Sequence, residues 1–216
     1  MAVPLMELLD GKSGASAPLR NEPVQARSTA RLTALLDAAA SAIDELGYER
    51  LTTAMVAERA GASIGTVYRY FPDRIAVLQA LAARNLERVL GGITAACADR
   101  SHANWREAIG GCFDAYVTAF RSEPGFASLR GGDVIDLRPP ASATTINSHL
   151  AEIMATSLAA RFGTDASDAT QFAFENAVEA MDALIARAFA RSKAGDDAFL
   201  DSGRALVLSI LSPRLD

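Results

Sequence analysis

The chain has 216 residues, half of them hydrophobic and only 6% aromatic, with a formal net charge of −5. That length allows one large domain or two small ones and supplies enough apolar side chains for a substantial core. The acidic balance argues against a protein that coats nucleic acid indiscriminately, because such binding is driven by neutralising phosphates. A site-specific binder remains open, since it needs positive charge on one face only. Abundant alanine and scarce aromatics favour helix over sheet, so the expected fold class is all-α. The opening residues hold neither a basic start nor a continuous apolar run, and no stretch of about 18 apolar residues suggests a membrane span. A cytoplasmic protein is expected.

Residues 1–26 mix Pro4, Gly11, Ser13, Gly14, Ser16, Pro18 and Pro23, and no helical period lasts there beyond a short Leu5-Met6-Leu8-Leu9 cluster. They read as a flexible arm. Arg20, Arg27 and Arg31 would make it a basic one reaching phosphates or a minor groove; the alternative is a tail without a role. A first helix follows from about Thr29 to Leu46, with Leu32, Leu35, Leu36, Ala39, Ile43 and Leu46 on one face. Gly47 closes it, and Tyr48 and Leu51 are expected to plug its core.

Residues 52 to 74 then read as two short helices joined by a tight turn. Thr52 or Thr53 caps the first, because a side-chain oxygen accepts from a free first-turn N–H. Val56, Ala57 and Ala60 form its apolar face, and Gly61 ends it. Ser63 caps a second helix of about two turns that Pro72 stops. This is the layout of a helix-turn-helix. The second helix exposes Thr66, Tyr68, Arg69 and Tyr70, side chains that suit phosphates and base edges. Val67 and Ile64 are expected to face inward, as is Phe71. Between residues 27 and 74 six basic residues (Arg27, Arg31, Arg50, Arg59, Arg69, Arg74) balance six acidic ones (Asp37, Asp44, Glu45, Glu49, Glu58, Asp73). Affinity must therefore depend on placement, with weak non-specific binding.

The Thr52-Thr53 pair, Ala60-Gly61-Ala62-Ser63, Gly65-Thr66-Val67-Tyr68 and Tyr70-Phe71 stand in the order and spacing of the DNA-binding signature of the TetR family of bacterial regulators, which this stretch resembles. The resemblance covers roughly residues 27 to 90 and departs at Arg74, where the family often carries Lys. It implies a three-helix DNA-binding head (residues 27–73) on a helical ligand-binding and dimerisation body (residues 74–216). The residues read as meeting DNA are Arg27, Arg31, Thr52, Thr53, Ser63, Gly65, Thr66, Tyr68, Arg69, Tyr70 and Arg74. Thr66 and Tyr68 are assigned to thymine methyls or backbone, and Arg69 to a base edge or a phosphate. Ser63, Thr53, Tyr70 and Arg74 are assigned to phosphates.

The helix starting at Asp73 carries the stripe Ile75, Leu78, Leu81, Ala82, Leu86, Val89, Leu90 and Ile93, and contains Gly91-Gly92. Adjacent glycines mark either a kink or a close helix crossing. Asn104 and Glu107 form a capping pair for a helix with Trp105, Ile109, Cys112, Phe113, Tyr116, Val117 and Phe120 inward. Residues 126–143, with the Gly131-Gly132 and Pro139-Pro140 pairs, read as loop with one turn of helix. A further helix spans Thr145 to Phe162. The last two, from Asp168 to Ser192 and from Asp197 to Leu211, are apolar on more than one side. A helix of that kind must bury both faces, and the economical partner is a second copy forming a four-helix interface.

A ligand cavity is expected between the fourth, fifth, seventh and eighth helices, with Trp105, Phe113, Tyr116, Phe120, Phe126, Met154, Phe174 and Met181 as candidate lining. Aromatics and methionines suit a small, mostly apolar effector. By the resemblance, the effector releases the protein from an inverted-repeat operator that it represses. Cys97 and Cys112 read as a redox-sensing pair or as two small core residues. An enzyme is the competing class, but His102 and His149 lack a metal-ligand spacing and no Gly-rich phosphate loop or nucleophile elbow is present. Asp133 and Asp136 read as solvated loop charge rather than paired catalytic carboxylates. An architectural DNA binder without ligand is the third class, disfavoured by the large apolar body. No cofactor and no metal is expected.

Overall fold

The computed structural model describes residues 22–129 and 145–216, and for residues 22–26 the backbone only. Of the flexible arm expected over residues 1–26, residues 1–21, with Arg20, lie outside the described residues, as does the loop carrying Gly131-Gly132, Asp133, Asp136 and Pro139-Pro140. Residues 22–26 are not arm but the start of the first helix, with Pro23 in its first turn, where a missing N–H costs no helix bond. Every regular element among those described is helical. They are α1 (Glu22–Leu46), a 3-10 turn (Tyr48–Arg50), α2 (Thr53–Arg59), α3 (Ile64–Tyr70), α4 (Arg74–Ala98), α5 (Trp105–Ser122), α6 (Phe126–Leu129), α7 (Ile146–Phe162), α8 (Asp168–Arg191) and α9 (Asp197–Leu215). The first helix thus begins at Glu22 rather than Thr29. The last runs through Pro213 in its final turn instead of ending at Leu211.

Local chemistry sets the helix starts. The Thr52 hydroxyl accepts from the Met55 N–H, Ser63 from Thr66, Asp73 from Ala76 and Asn104 from Glu107, each satisfying an orphan first-turn donor. Glu107 also reaches back to the Ala103 N–H at 2.8 Å, completing the expected capping pair.

Two cores form. In the head, Leu35, Ala39 and Ile43 of α1 pack with Leu51, Val56 and Ala57 of α2, Val67 of α3, Phe71, and Val77, Leu78 and Leu81 of α4. The head's core therefore extends eight residues into α4, beyond the boundary drawn at residue 73. In the body, Val89, Ile93 and Cys97 of α4 join α5, α7, α8 and α9 around Phe113, Tyr116, Met154, Phe174 and Met181. Two apolar residues expected inside are not: Ile64 is 43% exposed and Ile75 is exposed too. Each sits in the first turn of its helix, before the helix reaches the core, where an apolar spacing does not ensure burial.

Head and body meet at one joint. Gly125 stands at φ +72° against α1, where an added Cβ would lie 3.1 Å from Ile43 and 3.2 Å from the Ala40 carbonyl oxygen. Its N–H donates to Asp44 at 3.4 Å. Arg84 of α4 pairs with Asp37 of α1 at 2.6 Å, and Arg88 pairs with Glu123. Of the Gly91-Gly92 pair, Gly92 faces Ala115 of α5 with room for an added Cβ at ordinary contact distance, 3.5 Å, whereas Gly91 has open space around it, and the helix runs unbroken through both. Gly125→Ala combines a positive φ with backbone contact and should lower the thermal midpoint, by about 1–3 kcal/mol of stability. Gly91→Ala, at an exposed helix interior, should raise stability by up to about 1 kcal/mol. Thermal unfolding of both variants checks the pair; similar effects at the two positions would contradict this account of the joint.

Candidate functional site

The short α3 offers one face to its core and one to solvent. Val67 is fully buried, while Tyr68 on the opposite side is 53% exposed, beside Arg69 and Gly65. Ser63 caps α3, and its hydroxyl lies 2.9 Å from that of Thr66. Thr53 of α2 donates to the Tyr68 hydroxyl at 3.4 Å, so the two helices present a joined polar rim. Tyr70 is half-buried, and its hydroxyl is 3.3 Å from the Ser28 hydroxyl of α1. The Ser28 hydrogen bond, aided by Arg69 and Arg31, holds the Tyr70 phenol below its ordinary pKa despite partial desolvation.

An open groove runs beside this contact, lined by Arg27, Ser28, Ala30, Arg31, Ala34, Arg69 and Tyr70. Three guanidinium groups on two helices border one concavity. None of the three has an acidic partner among the described residues, as expected of a surface that receives phosphate oxygens. The Arg69 guanidinium also sits 5.3 Å from the centre of the Tyr70 ring.

Two of the three remaining head arginines are spent differently, while Arg50 is exposed. Arg59 of α2 forms a fork with Glu45 of α1 at 3.0 and 2.5 Å and donates to Ser41 at 3.1 Å. That fork, chiefly through its hydrogen bonds, holds the Glu45 carboxyl below its usual range. Arg74 donates to the Glu49 carbonyl at 2.6 Å and so ties α4 to the turn after α1. The Thr52 hydroxyl is occupied as a cap. Of the residues read as meeting DNA, Arg27, Arg31, Ser63, Gly65, Tyr68 and Arg69 are exposed, with Thr53, Thr66 and Tyr70 partly so. Ser28 was missed, although its place between Arg27 and Arg31 on the first helix signalled it.

A second concavity lies in the body. It is walled by Ala82, Asn85, Leu86 and Val89 of α4, Tyr116 of α5, Phe126 and Leu129 of α6, and Ile146 and Leu150 of α7. About 20 Å³ of it is open to the centre of a water molecule, enough for one water. Of the eight residues proposed from sequence, Tyr116 and Phe126 line it. Trp105, Phe113, Phe120, Met154, Phe174 and Met181 are buried in the surrounding core. Aromatic contacts account for part of this: Phe120 stacks on Phe189 with centroids 4.9 Å apart and meets Phe126 edge-on at 5.0 Å. The Tyr116 hydroxyl donates to Asp182 at 2.7 Å. Asn85, in the middle of an apolar stripe with Leu81 and Val89 four residues to either side, was the missed signal.

The two cysteines sit in the same core, both buried, with sulfurs 3.4 Å apart. The hydrogen bond between them lowers the pKa of Cys97 and raises that of Cys112. His102 contacts the Ala96 carbonyl and His149 lies 3.6 Å from Glu152. Among the described residues no three metal-ligating side chains converge, and no helix is long and apolar enough to cross a membrane.

Two family models match. Residues 35–81 match "Bacterial regulatory proteins, tetR family", and residues 103–215 match "Tetracyclin repressor-like, C-terminal domain". A crystal structure of a TetR-family transcriptional regulator from Streptomyces coelicolor is 32% identical, covering 86% of this chain and 99% of that one, with a TM-score of 0.69. The transcriptional repressor KstR of Rhodococcus jostii is 42% identical over 55 residues, 26% of each chain. The match thus spans about a quarter of that repressor's length. The SmeT–triclosan complex shares the fold at 20% identity, covering 87% of this chain and 92% of that one, with a TM-score of 0.57.

Two outcomes follow from the head's geometry. Arg31→Ala should weaken binding to every duplex about equally and reduce the slope of log affinity against log salt by about 1; a slope unchanged in a salt titration would remove Arg31 from the phosphate contacts. Glu45, whose pKa is depressed in the fold, stabilises the head fully above its ordinary value of 4.5 and loses that contribution as pH falls through its lower folded value. Acid titration of stability should therefore show Glu45→Gln less stable than the parent at neutral pH, with the gap closing in acid.

Proposed function

This chain belongs to the TetR family of transcriptional regulators, and from that premise we propose that it binds an inverted-repeat operator as a homodimer and is released by a small, mostly apolar effector held in its body. The observation that carries the DNA half of this reading is the groove of Arg27, Arg31 and Arg69 beside the solvent-facing side of α3. Phosphates seated there would lay α3 along the major groove, with Tyr68 and Thr66 toward base edges and thymine methyls. In this reading Ser63, Thr53 and Tyr70 hold backbone oxygens at the rim. Gly65, without a side chain, lets the α3 backbone approach the duplex.

A single two-turn helix touches too few base pairs to select a site. Two heads set about 34–36 Å apart meet successive major grooves and read both halves of an inverted repeat. The apolar residues left uncovered on the last two helices support pairing there. Phe172 of α8 is 65% exposed and Leu206 of α9 is 42% exposed, with Ala183, Ala198 and Ala205 also exposed. Burying such a face against its copy removes apolar surface from water.

Effector release needs a physical link between cavity and head. Leu129 walls the cavity and also belongs to the head's core, and Ala82 and Asn85 of α4 follow directly on Leu81 of that core. A ligand too large for the present cavity would part α4 from α7 and press on both. It shifts the protein toward its released form only through tighter binding to that form.

Selection of bound duplexes from a random pool is the test of the operator. An enriched inverted repeat, with affinity reduced about 10-fold or more by Arg69→Ala, is the expected result; enrichment of a lone half-site would leave the dimeric reading unsupported. Leu206→Asp should shift the sedimenting species toward the 22.7 kDa monomer and weaken operator binding in parallel. A stable dimer in that variant would move the interface away from α9.

A further inference from the structure

Two polar residues are fully buried among those described, and they differ in how they are satisfied. Thr170 donates to Asp165 at 2.6 Å. Asn85 is 2% exposed, and neither its Nδ2 nor its Oδ1 has a hydrogen-bond partner among the described residues. An unpaired buried carboxamide is costly, because both groups have left water without replacement. A leucine, with the same branched arrangement of side-chain heavy atoms, would continue the α4 stripe without that cost. Asn85 lines the body cavity, whose other described wall residues are apolar apart from Tyr116, and the Tyr116 hydroxyl donates to Asp182.

We propose that Asn85 is the polar anchor of the effector site, and that the effector is a neutral, mostly apolar molecule carrying a hydrogen-bond donor beside an acceptor, as a carboxamide or a lactam does. This rests on the reading that the body binds an effector. The chemistry narrows the class. The Asn85 side chain offers an acceptor and a donor side by side on one planar edge, with its second N–H pointing away from that edge, so only a ligand with both complements satisfies it. Among the described residues no charged side chain lines the cavity, so an ionised ligand would be desolvated with no counter-charge from them in contact. A pure hydrocarbon would fill the apolar wall and leave the amide as unpaired as before. In the closed cavity one water fits beside Asn85, and the effector displaces it as the walls part.

The test uses the full chain and three probes of equal heavy-atom count: hexanamide, methyl pentanoate and hexanoate. Calorimetric titration is run on the parent, Asn85→Leu and Asn85→Ala, with operator release measured alongside. The parent is expected to bind hexanamide about tenfold or more tighter than the ester, and hexanoate weakest. Both variants should lose that preference while keeping the ester within about twofold. Unliganded Asn85→Leu should melt at a higher temperature than the parent, which a merely structural asparagine would not produce. Equal binding of amide and ester by the parent, binding of none of the probes, or a lower melting temperature for Asn85→Leu would each overturn the anchor. Release of operator with no amide preference would leave the effector reading standing and the anchor fallen. Amide binding at Asn85 without release would do the reverse.

Discussion

The burial of α4 in two cores at once constrains the rest of the molecule. This helix is 25 residues long, about 37 Å at the usual rise. Val77, Leu78 and Leu81 belong to the head, and Val89, Ile93 and Cys97 belong to the body. Because its backbone is hydrogen-bonded throughout, the helix transmits a displacement at one end to the other. Leu129 answers from the opposite direction, reaching from α6 into the head's core while bordering the body's cavity. Gly125, Asp44 and the Arg84–Asp37 pair hold the same joint closed from the side of α1. The segment 82–89 therefore adjoins the head's core at Leu81 and, across the cavity, at Leu129.

The electrostatics explain how an acidic protein carries a groove bordered by arginines. The head is neutral by count, but its charges are sorted. Arg59 and Arg74 are committed to Glu45, Ser41 and the Glu49 carbonyl, where they brace the three helices. Arg27, Arg31 and Arg69 border the open groove instead. The bracing arginines fix the angle between α1 and α2, and that angle sets the spacing between the arginines of α1 and of α3. Positive charge is therefore concentrated by geometry rather than by composition, as a binder that discriminates among sequences requires. The low non-specific affinity expected of a neutral head favours that discrimination.

Legibility in the sequence followed the range of the interaction involved. Helix starts were readable because a cap is a contact over three residues: Thr52, Ser63, Asp73 and Asn104 each bond the N–H that their position predicts. The turn at Gly61, at φ +58°, was readable for the same reason. Burial was readable where a stripe ran the length of a helix, as for Leu35, Ala39 and Ile43, and failed in first turns, as for Ile64 and Ile75. The cavity was the hardest to see. Large aromatics suggested a lining, yet large side chains are the ones that fill space, and Phe113, Phe120 and Phe174 became core. Space is left instead where small and polar residues interrupt a stripe, at Ala82 and Asn85. Whether Leu129 and Ile146 meet them depends on contacts across some fifty residues of chain, which no local pattern encodes.

The outer helices carry the remaining constraint on the two heads. α8 and α9 cross closely, with Gly203 placed so that an added Cβ would lie 3.3 Å from Leu184 and from the ring of Phe113. Arg204 ties α9 to α5 through the Gly110 carbonyl and Asp114 and lies 4.7 Å from the Phe113 ring centre. On the outward face left by this packing, Phe172 is accompanied by Ala169, Asn176 and Glu179 of α8, while Leu206 lies among the small Ala198, Ser202, Ala205 and Ser209 of α9. A face of small residues allows close approach of two helix pairs but gives little shape to resist their pivoting, so the bulky Phe172 and Leu206 would have to fix the angle in the proposed dimer. The distance between two α3 helices is then set by that angle and by the tilt of α4 against the body. In the proposed function an effector would act by changing that tilt, and because Ala82 and Asn85 of the cavity stand within about one turn of Leu81 of the head's core, a small movement of α4 there would be passed directly to the head.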